Sequence, residues 1–123
     1  MALTKKTYAE PAGDSLFAAT GVKSIPADGY KLPAAAATVL KRGQALKQGA
    51  SARELTPVTA AADQVVAILA DDIDPAVSKA ISVYEEGEFN RYKVIFAAET
   101  TYADFEVKAR MKGIYFKDVI KVW

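Results

Sequence analysis

The sequence contains neither histidine nor cysteine among its 123 residues. Histidine is the side chain that most often acts as a general base near neutral pH, and histidine and cysteine are the usual ligands of zinc. Without cysteine the chain also has no disulfide bond and no thiolate nucleophile. These absences exclude Ser-His and Cys-His hydrolases and thiolate metal centres.

An excess of charge of one sign and long hydrophobic runs are missing as well. Sixteen basic and fifteen acidic residues leave a net charge of +1, which gives no long-range field toward nucleic acid or an anionic membrane. No apolar run approaches the roughly 20 residues of a membrane span, and no apolar segment follows Lys5 and Lys6 as in a signal peptide. We expect a protein made in the cytoplasm, with no nucleic acid and no membrane as partner.

Large apolar side chains are scarcer than the hydrophobic fraction of 51% suggests, because 24 of the residues are alanine. The length fits one domain. A core with few bulky side chains buries little apolar area, and small domains of this kind often rely on oligomerisation. We therefore expect a domain that assembles with copies of itself.

Residues 1–35 mix prolines and glycines with short polar stretches and show no sustained periodicity. This pattern predicts an extended amino-terminal arm, with a disordered tail as the alternative. The arm holds many apolar residues for a segment that buries nothing. Tyr8, Phe17 and Trp123 lie near the ends of the sequence and are candidate anchors at a subunit or partner interface, with packing inside the chain as the alternative.

Residues 36–123 are predicted to form a mainly β domain with one short helix. Residues 64–70 are almost all apolar, which predicts a strand buried on both faces, and residues 78–85 alternate as in a half-buried strand. Residues 71–75, three of which are aspartates, form the turn between them. Pro57 indicates either a strand at a sheet edge or the end of a strand, because proline cannot donate a backbone hydrogen bond. Further strands are predicted at residues 38–42, 44–48, 53–59, 91–97 and 114–123, with a turn at Gly43 between the first two.

The predicted helix begins after Thr101, where Asp104 completes a capping box. It ends at Gly113, which can adopt the left-handed conformation of a helix stop. Tyr102, Phe105 and Ala109 have the spacing of one helix face and are expected to be buried.

Two groups of acidic residues could carry chemistry. Asp71, Asp72 and Asp74 are oxygen donors of the kind that bind calcium, but the sequence lacks the glycine and glutamate that an EF-hand places after them. Three glutamates around Gly87 have no assignable apolar pocket or electrophile-stabilising group. We interpret both groups as solvated surface and predict no catalytic residue, no metal and no cofactor.

The order of several short motifs resembles a known family. A proline-rich entry precedes Thr38-Val-Leu, Gly43-Gln-Ala-Leu, Val66-Ala-Ile-Leu-Ala with acids after it, Val83-Tyr, Gly87-Glu-Phe-Asn-Arg, a helix and Gly113-Ile-Tyr-Phe. Over residues 33–120 this order is similar to that of the head decoration and head fiber proteins of tailed phages, and the layout resembles the lambda-like decoration proteins.

The resemblance implies a small β-clip-like (β-tulip) domain, residues 36–123, preceded by a capsid-contacting arm, residues 1–35. It implies a homotrimer on the surface of the virion that binds the major capsid protein and cements the expanded head, without enzymatic activity. Alternatives are the base of a head fiber, a tail or neck adaptor, or a small hydrolase. The residues expected to carry the contacts are Tyr8, Leu16, Phe17, Val22 and Ile25 in the arm and Trp123 at an interface.

Overall fold

The computed structural model describes residues 16–17 and 25–118, which are mainly β with one short helix. The elements in chain order are β1 (Ile25–Lys31), β2 (Ala45–Gln48), β3 (Leu55–Pro57), β4 (Ala67–Leu69), β5 (Ala80–Asn90), α1 (Tyr102–Arg110) and β6 (Ile114–Lys117). The predicted fold class, mainly β with one short helix, is confirmed.

The sheet is built around β5, the longest strand. The order is β1-β5-β4-β2-β3 with antiparallel neighbours, and β6 pairs in parallel with residues 87–90 of β5. The two outer strands approach each other at one end, where Lys31 and Glu54 form a bridge and the Lys31 N–H donates to the Arg53 carbonyl at 3.0 Å. The open sheet is therefore curled.

The curled sheet separates two groups of buried side chains, because neighbouring residues on a strand point to opposite faces. On β2, Ala45 belongs to one group and Leu46 to the other, and Ile68 and Leu69 divide in the same way on β4. The helix core contains Leu16, Ala45, Val58, Val65, Ile68, Phe89, Val94, Phe105, Ala109, Ile114 and Phe116. The sheet core contains Leu32, Leu40, Leu46, Leu55, Ala67, Leu69, Ile81 and Val83.

The two strands predicted around the acidic turn are confirmed as β4 and β5, which pair at Ile68 with Tyr84 and at Leu69 with Val83. All three residues of β4 are buried, as the apolar run predicts. β5 continues beyond residue 85 because its second half gains a new partner in β6. Pro57 ends β3, which pairs with β2 alone, so its place at an edge is also confirmed.

The helix follows its prediction closely. The Asp104 carboxylate accepts a hydrogen bond from the Thr101 N–H at 2.8 Å, and the two residues form the expected capping box. Phe105 and Ala109 are fully buried. Gly113 has a φ of 81°, a left-handed conformation that glycine adopts without strain, and the chain leaves it directly into β6.

Two predicted strands, at residues 38–42 and 91–97, are wrong. Each is reduced to a single bridge, Leu40 with Ile73 and Ile95 with Gln44. After β5, Asn90 forms a turn instead: its side-chain oxygen accepts from the Tyr92 N–H at 3.0 Å, and its carbonyl accepts from the Lys93 N–H at 2.9 Å. Local hydrogen bonding of this kind competes with strand pairing.

β1 lies inside the segment predicted to be an arm. Its Pro26 and Gly29 concealed the strand in the sequence, yet both lie where the pairing with β5 is irregular, between Ile25 and Pro26 and between Ala27 and Tyr30. Gly29 has a φ of 90°, which suits a bulge. Residues 25–31 are therefore part of the sheet.

Candidate interaction site at the amino-terminal segment

Leu16 and Phe17 are attached to the second half of β5. The Asn90 N–H donates to the Leu16 carbonyl at 2.7 Å, and Phe17 forms an antiparallel bridge with Phe89. The Leu16 side chain is 3% exposed within the helix core. This pair of residues is therefore anchored by both backbone and side chain.

The Phe17 ring packs against two aromatic rings of β5. Its centroid lies 5.2 Å from that of Tyr84 in an edge-to-face arrangement and 5.7 Å from that of Phe89. Edge-to-face pairs place the positive edge of one ring against the negative face of the other, which adds to the benefit of burial. Phe17 remains half-buried, so one side of it is available at the surface.

The Arg42 guanidinium lies over the rings of Phe17 and Tyr84. Its guanidinium carbon lies 5.6 Å from the Phe17 centroid and 5.8 Å from the Tyr84 centroid, within the range of cation–π attraction. Its Nε donates to the Ala70 carbonyl at 2.9 Å and its Nη2 donates to the Tyr84 hydroxyl at 3.2 Å. These bonds fix the orientation of the guanidinium over Phe17. We call Leu16, Phe17, Arg42 and Tyr84 the anchor.

Gly43 permits the close approach on which the anchor depends. It has a φ of 100°, and a Cβ at this position would lie 2.7 Å from the Lys93 carbonyl oxygen and 3.3 Å from Cδ1 of Leu16. Only glycine fits such a position. The predicted turn at Gly43 is thus present, and it brings Arg42 over the aromatic rings.

The sequence-predicted contact residues have different positions. Leu16 is buried within its own chain, whereas Phe17 is half-buried at the surface. The backbone of Ile25 pairs with Glu86. The remaining predicted contacts, Tyr8, Val22 and Trp123, lie outside the described residues.

Arg42 is the anchor residue that sequence reasoning missed. It lies at the end of a segment predicted to be a strand, and its side-chain hydrogen-bond partners Ala70 and Tyr84 are 28 and 42 positions away in the chain. One of the acids interpreted as solvated supports it, because Oδ1 of Asp72 accepts from the Arg42 N–H at 2.7 Å. Nothing in the local pattern indicates these long-range contacts.

Two of the other acids, Asp74 and Glu85, serve local structure. Asp74 Oδ1 accepts from the Ala76 N–H at 3.0 Å and shapes the turn before β5. Glu85 accepts from the Tyr30 hydroxyl at 2.5 Å, and this hydrogen bond raises the pKa of Tyr30. The guanidinium of Arg53 lies 4.6 Å from the Tyr30 ring, close to the bridge that curls the sheet.

Two shallow hollows lie in the described surface. One, of about 410 Å³, is lined mainly by apolar residues of the segment before Leu40 and of β3. The other, of about 300 Å³, is more polar and includes Glu85, Glu86 and Lys112. Within residues 16–17 and 25–118, no three acidic, histidine or cysteine side chains are grouped so that they could hold a metal ion.

The comparisons with known proteins give no relative. A scan against protein-family models and a search of the curated proteins both found no match to the chain. The nine-residue α1 is too short to cross a membrane, and the described part of the chain holds no other helix. The anchor forms the basis for the functional proposal.

Proposed function

We propose that this chain is a non-catalytic decoration protein of a tailed-phage head. In this proposal the domain has a β-clip (β-tulip) fold, forms a homotrimer on the outer surface of the expanded capsid, and binds the major capsid protein through the residues that precede the anchor. It stabilises the contacts between neighbouring capsid proteins.

The anchor is the observation that carries the proposal. It fixes the point at which residues 1–15 join the domain, through the Asn90–Leu16 hydrogen bond and the packing of Phe17 under Arg42. A binding segment whose attachment point is fixed loses less conformational entropy on binding than one on a free linker. A fixed attachment point therefore suits a protein that binds one face of a large partner.

The resemblance in motif order supports the same proposal. Its main block, residues 65–91, contains β4, the acidic turn and all of β5, and the two strands form the centre of the sheet. Within this block Asp74 shapes a turn and Glu85 bonds the Tyr30 hydroxyl of β1, so we interpret the block as scaffold. A scaffold that presents a binding segment is the architecture that a decoration protein needs.

Sedimentation with expanded capsids tests the proposal. The full chain should co-sediment with them, and a variant lacking residues 1–15 should lose most of this binding while its melting temperature changes little, because the anchor is retained. Val77→Ala provides a control, since this loop side chain is 85% exposed and is not part of the anchor. Equal binding by the truncated variant, or no binding by the full chain, would contradict the proposal.

A further inference from the structure

The face of α1 that points away from the helix core carries an apolar stripe. Ala103, Val107 and Met111 are exposed, and Val107 and Met111 are 58% and 77% exposed. At about 100° per residue, these three positions lie nearly opposite Phe105 and Ala109. We call Ala103, Val107 and Met111 the outer stripe.

Charged residues flank the outer stripe in a polarised arrangement. The side chains on one flank are Asp104 and Lys108, and those on the other are Glu106 and Arg110, which pair at 3.8 Å. On both flanks the acid is nearer the beginning of the helix and the bases nearer its end, which also suits the helix dipole. The charges of this helix face are therefore complementary to those of the same face on a second helix that runs antiparallel to it.

We propose that the outer stripe is a contact between two copies of this chain, related by a two-fold axis through Val107, with the two helices antiparallel. A two-fold contact sets each residue against its symmetry mate, and a residue on the axis against itself. Val107 then meets Val107 of the second copy. The small Ala103 lies opposite the long Met111, so the volumes match on both sides of the axis.

The flanking charges favour this antiparallel arrangement. Reversal of the second helix puts its Lys108, which also donates to its own Ala62 carbonyl, beside Asp104, displaced by about two residues or 3 Å along the axis. Glu106 likewise comes close to Arg110 of the second copy and extends the ion pair already present. A parallel pair would instead place like charges together, which is unfavourable.

The contact is small and should be weak in dilute solution, since three side chains cover far less than a standard stable interface. It becomes effective where copies are held close together. In a lattice of decoration trimers, neighbouring trimers related by two-folds could touch through it. That consequence rests on the proposed function, whereas the pairing itself does not.

Single-cysteine crosslinking tests the pairing cleanly, because the chain has no cysteine of its own. Under mild oxidation of the full chain, Val107→Cys should form a covalent dimer at least about ten times faster than Val77→Cys, since docking holds two thiols at a high effective concentration. Val77 is the matched control because it is an exposed valine on a loop. Equal rates for the two variants would overturn the proposal.

The orientation and the charge argument have separate readouts. A mixture of Ala103→Cys and Met111→Cys should give mainly the heterodimer, and predominance of the two homodimers would show a parallel pair and overturn the proposal. Arg110→Glu introduced into Val107→Cys should slow crosslinking, because it sets a like charge against Glu106 of the second copy, whereas Lys93→Glu, the same charge change at an exposed site off the helix, should not. If the helix substitution and Lys93→Glu changed the crosslinking rate equally, the flanking charges would have no specific role in the pairing. Loss of crosslinking with capsid binding retained would separate this inference from the proposed function.

Discussion

Replacement of Asp63 should destabilise the domain more than its position in a short loop suggests. One carboxylate oxygen, Oδ2, accepts from the Thr59 N–H at 2.7 Å, the Ala60 N–H at 2.9 Å and the Lys47 ammonium at 3.1 Å. These bonds join β2 to the loop that supports the helix, where the Lys108 ammonium donates to the Ala62 carbonyl at 2.8 Å. The Asp63 side chain is only 19% exposed.

The magnitude follows from the bonds that are lost. Hydrogen bonds to a charged group contribute about 1.5–3 kcal/mol each when well buried. Thr59 and Ala60 are exposed, so water partly replaces the lost acceptor, and the pair with Lys47 contributes at most about 1 kcal/mol. We expect Asp63→Ala to lower the free energy of unfolding by about 2 kcal/mol, which is a fall of roughly 6–10 °C in Tm for a domain of this size.

The effect should depend on pH in a defined direction. Hydrogen bonds from the Thr59 and Ala60 N–H groups, helped by Lys47, lower the pKa of Asp63 in the folded protein. A lowered folded pKa gives stability that is complete above the unfolded pKa of about 3.9 and is lost as the pH falls toward the folded value. The difference in free energy between the wild type and Asp63→Asn should therefore shrink from pH 6 to pH 2.5.

Urea unfolding followed by circular dichroism measures both quantities. Asp63→Asn keeps the shape of the side chain and removes its charge, so it isolates the pH-dependent part. A loss below about 0.5 kcal/mol for Asp63→Ala, the usual range for surface substitutions, would refute the reasoning. A difference between the wild type and Asp63→Asn that stays constant from pH 6 to pH 2.5 would refute the assigned role of the carboxylate.

Three further predictions concern backbone and packing. Gly43→Ala should lose more than about 2 kcal/mol of stability, because its Cβ would meet the Lys93 carbonyl at 2.7 Å; Gly113→Ala, whose nearest contact is a flexible side chain at 3.1 Å, should lose about 1–2 kcal/mol. Equal losses of stability for Gly43→Ala and Gly113→Ala in thermal denaturation would argue against the close approach of Gly43 to the Lys93 carbonyl. Phe17→Ala should lower the free energy of unfolding measured in urea by about 1–3 kcal/mol, since the ring is half-buried. An unchanged free energy of unfolding would show that the anchor does not stabilise the domain. Asp104→Ala should lose about 1 kcal/mol and reduce the helical signal, and an unchanged signal would contradict the capping role.

The parts of the fold that the sequence predicts well are those with a local cause. The helix is specified within about a dozen residues by Thr101, Asp104 and Gly113, whose capping and stop conformations need no distant partner. The buried β4 is indicated by its apolar run, because no other short element needs such composition. These features were predictable from neighbouring residues alone.

The parts that were missed depend on distant residues. β1 contains Pro26 and Gly29, and its pairing with β5 is possible only because register irregularities absorb both. The strand predicted at residues 91–97 has suitable residue types, but the Asn90 turn outcompetes the ladder. Arg42 reaches the anchor through partners that no local pattern connects to it.

Electron cryomicroscopy of expanded phage heads incubated with the purified full chain tests directly whether this chain decorates a capsid. We predict trimeric density on the outer capsid surface at three-fold positions, with the anchor on the side facing the major capsid protein. Heads that remain bare at saturating protein, or density confined to the tail or neck, would contradict it.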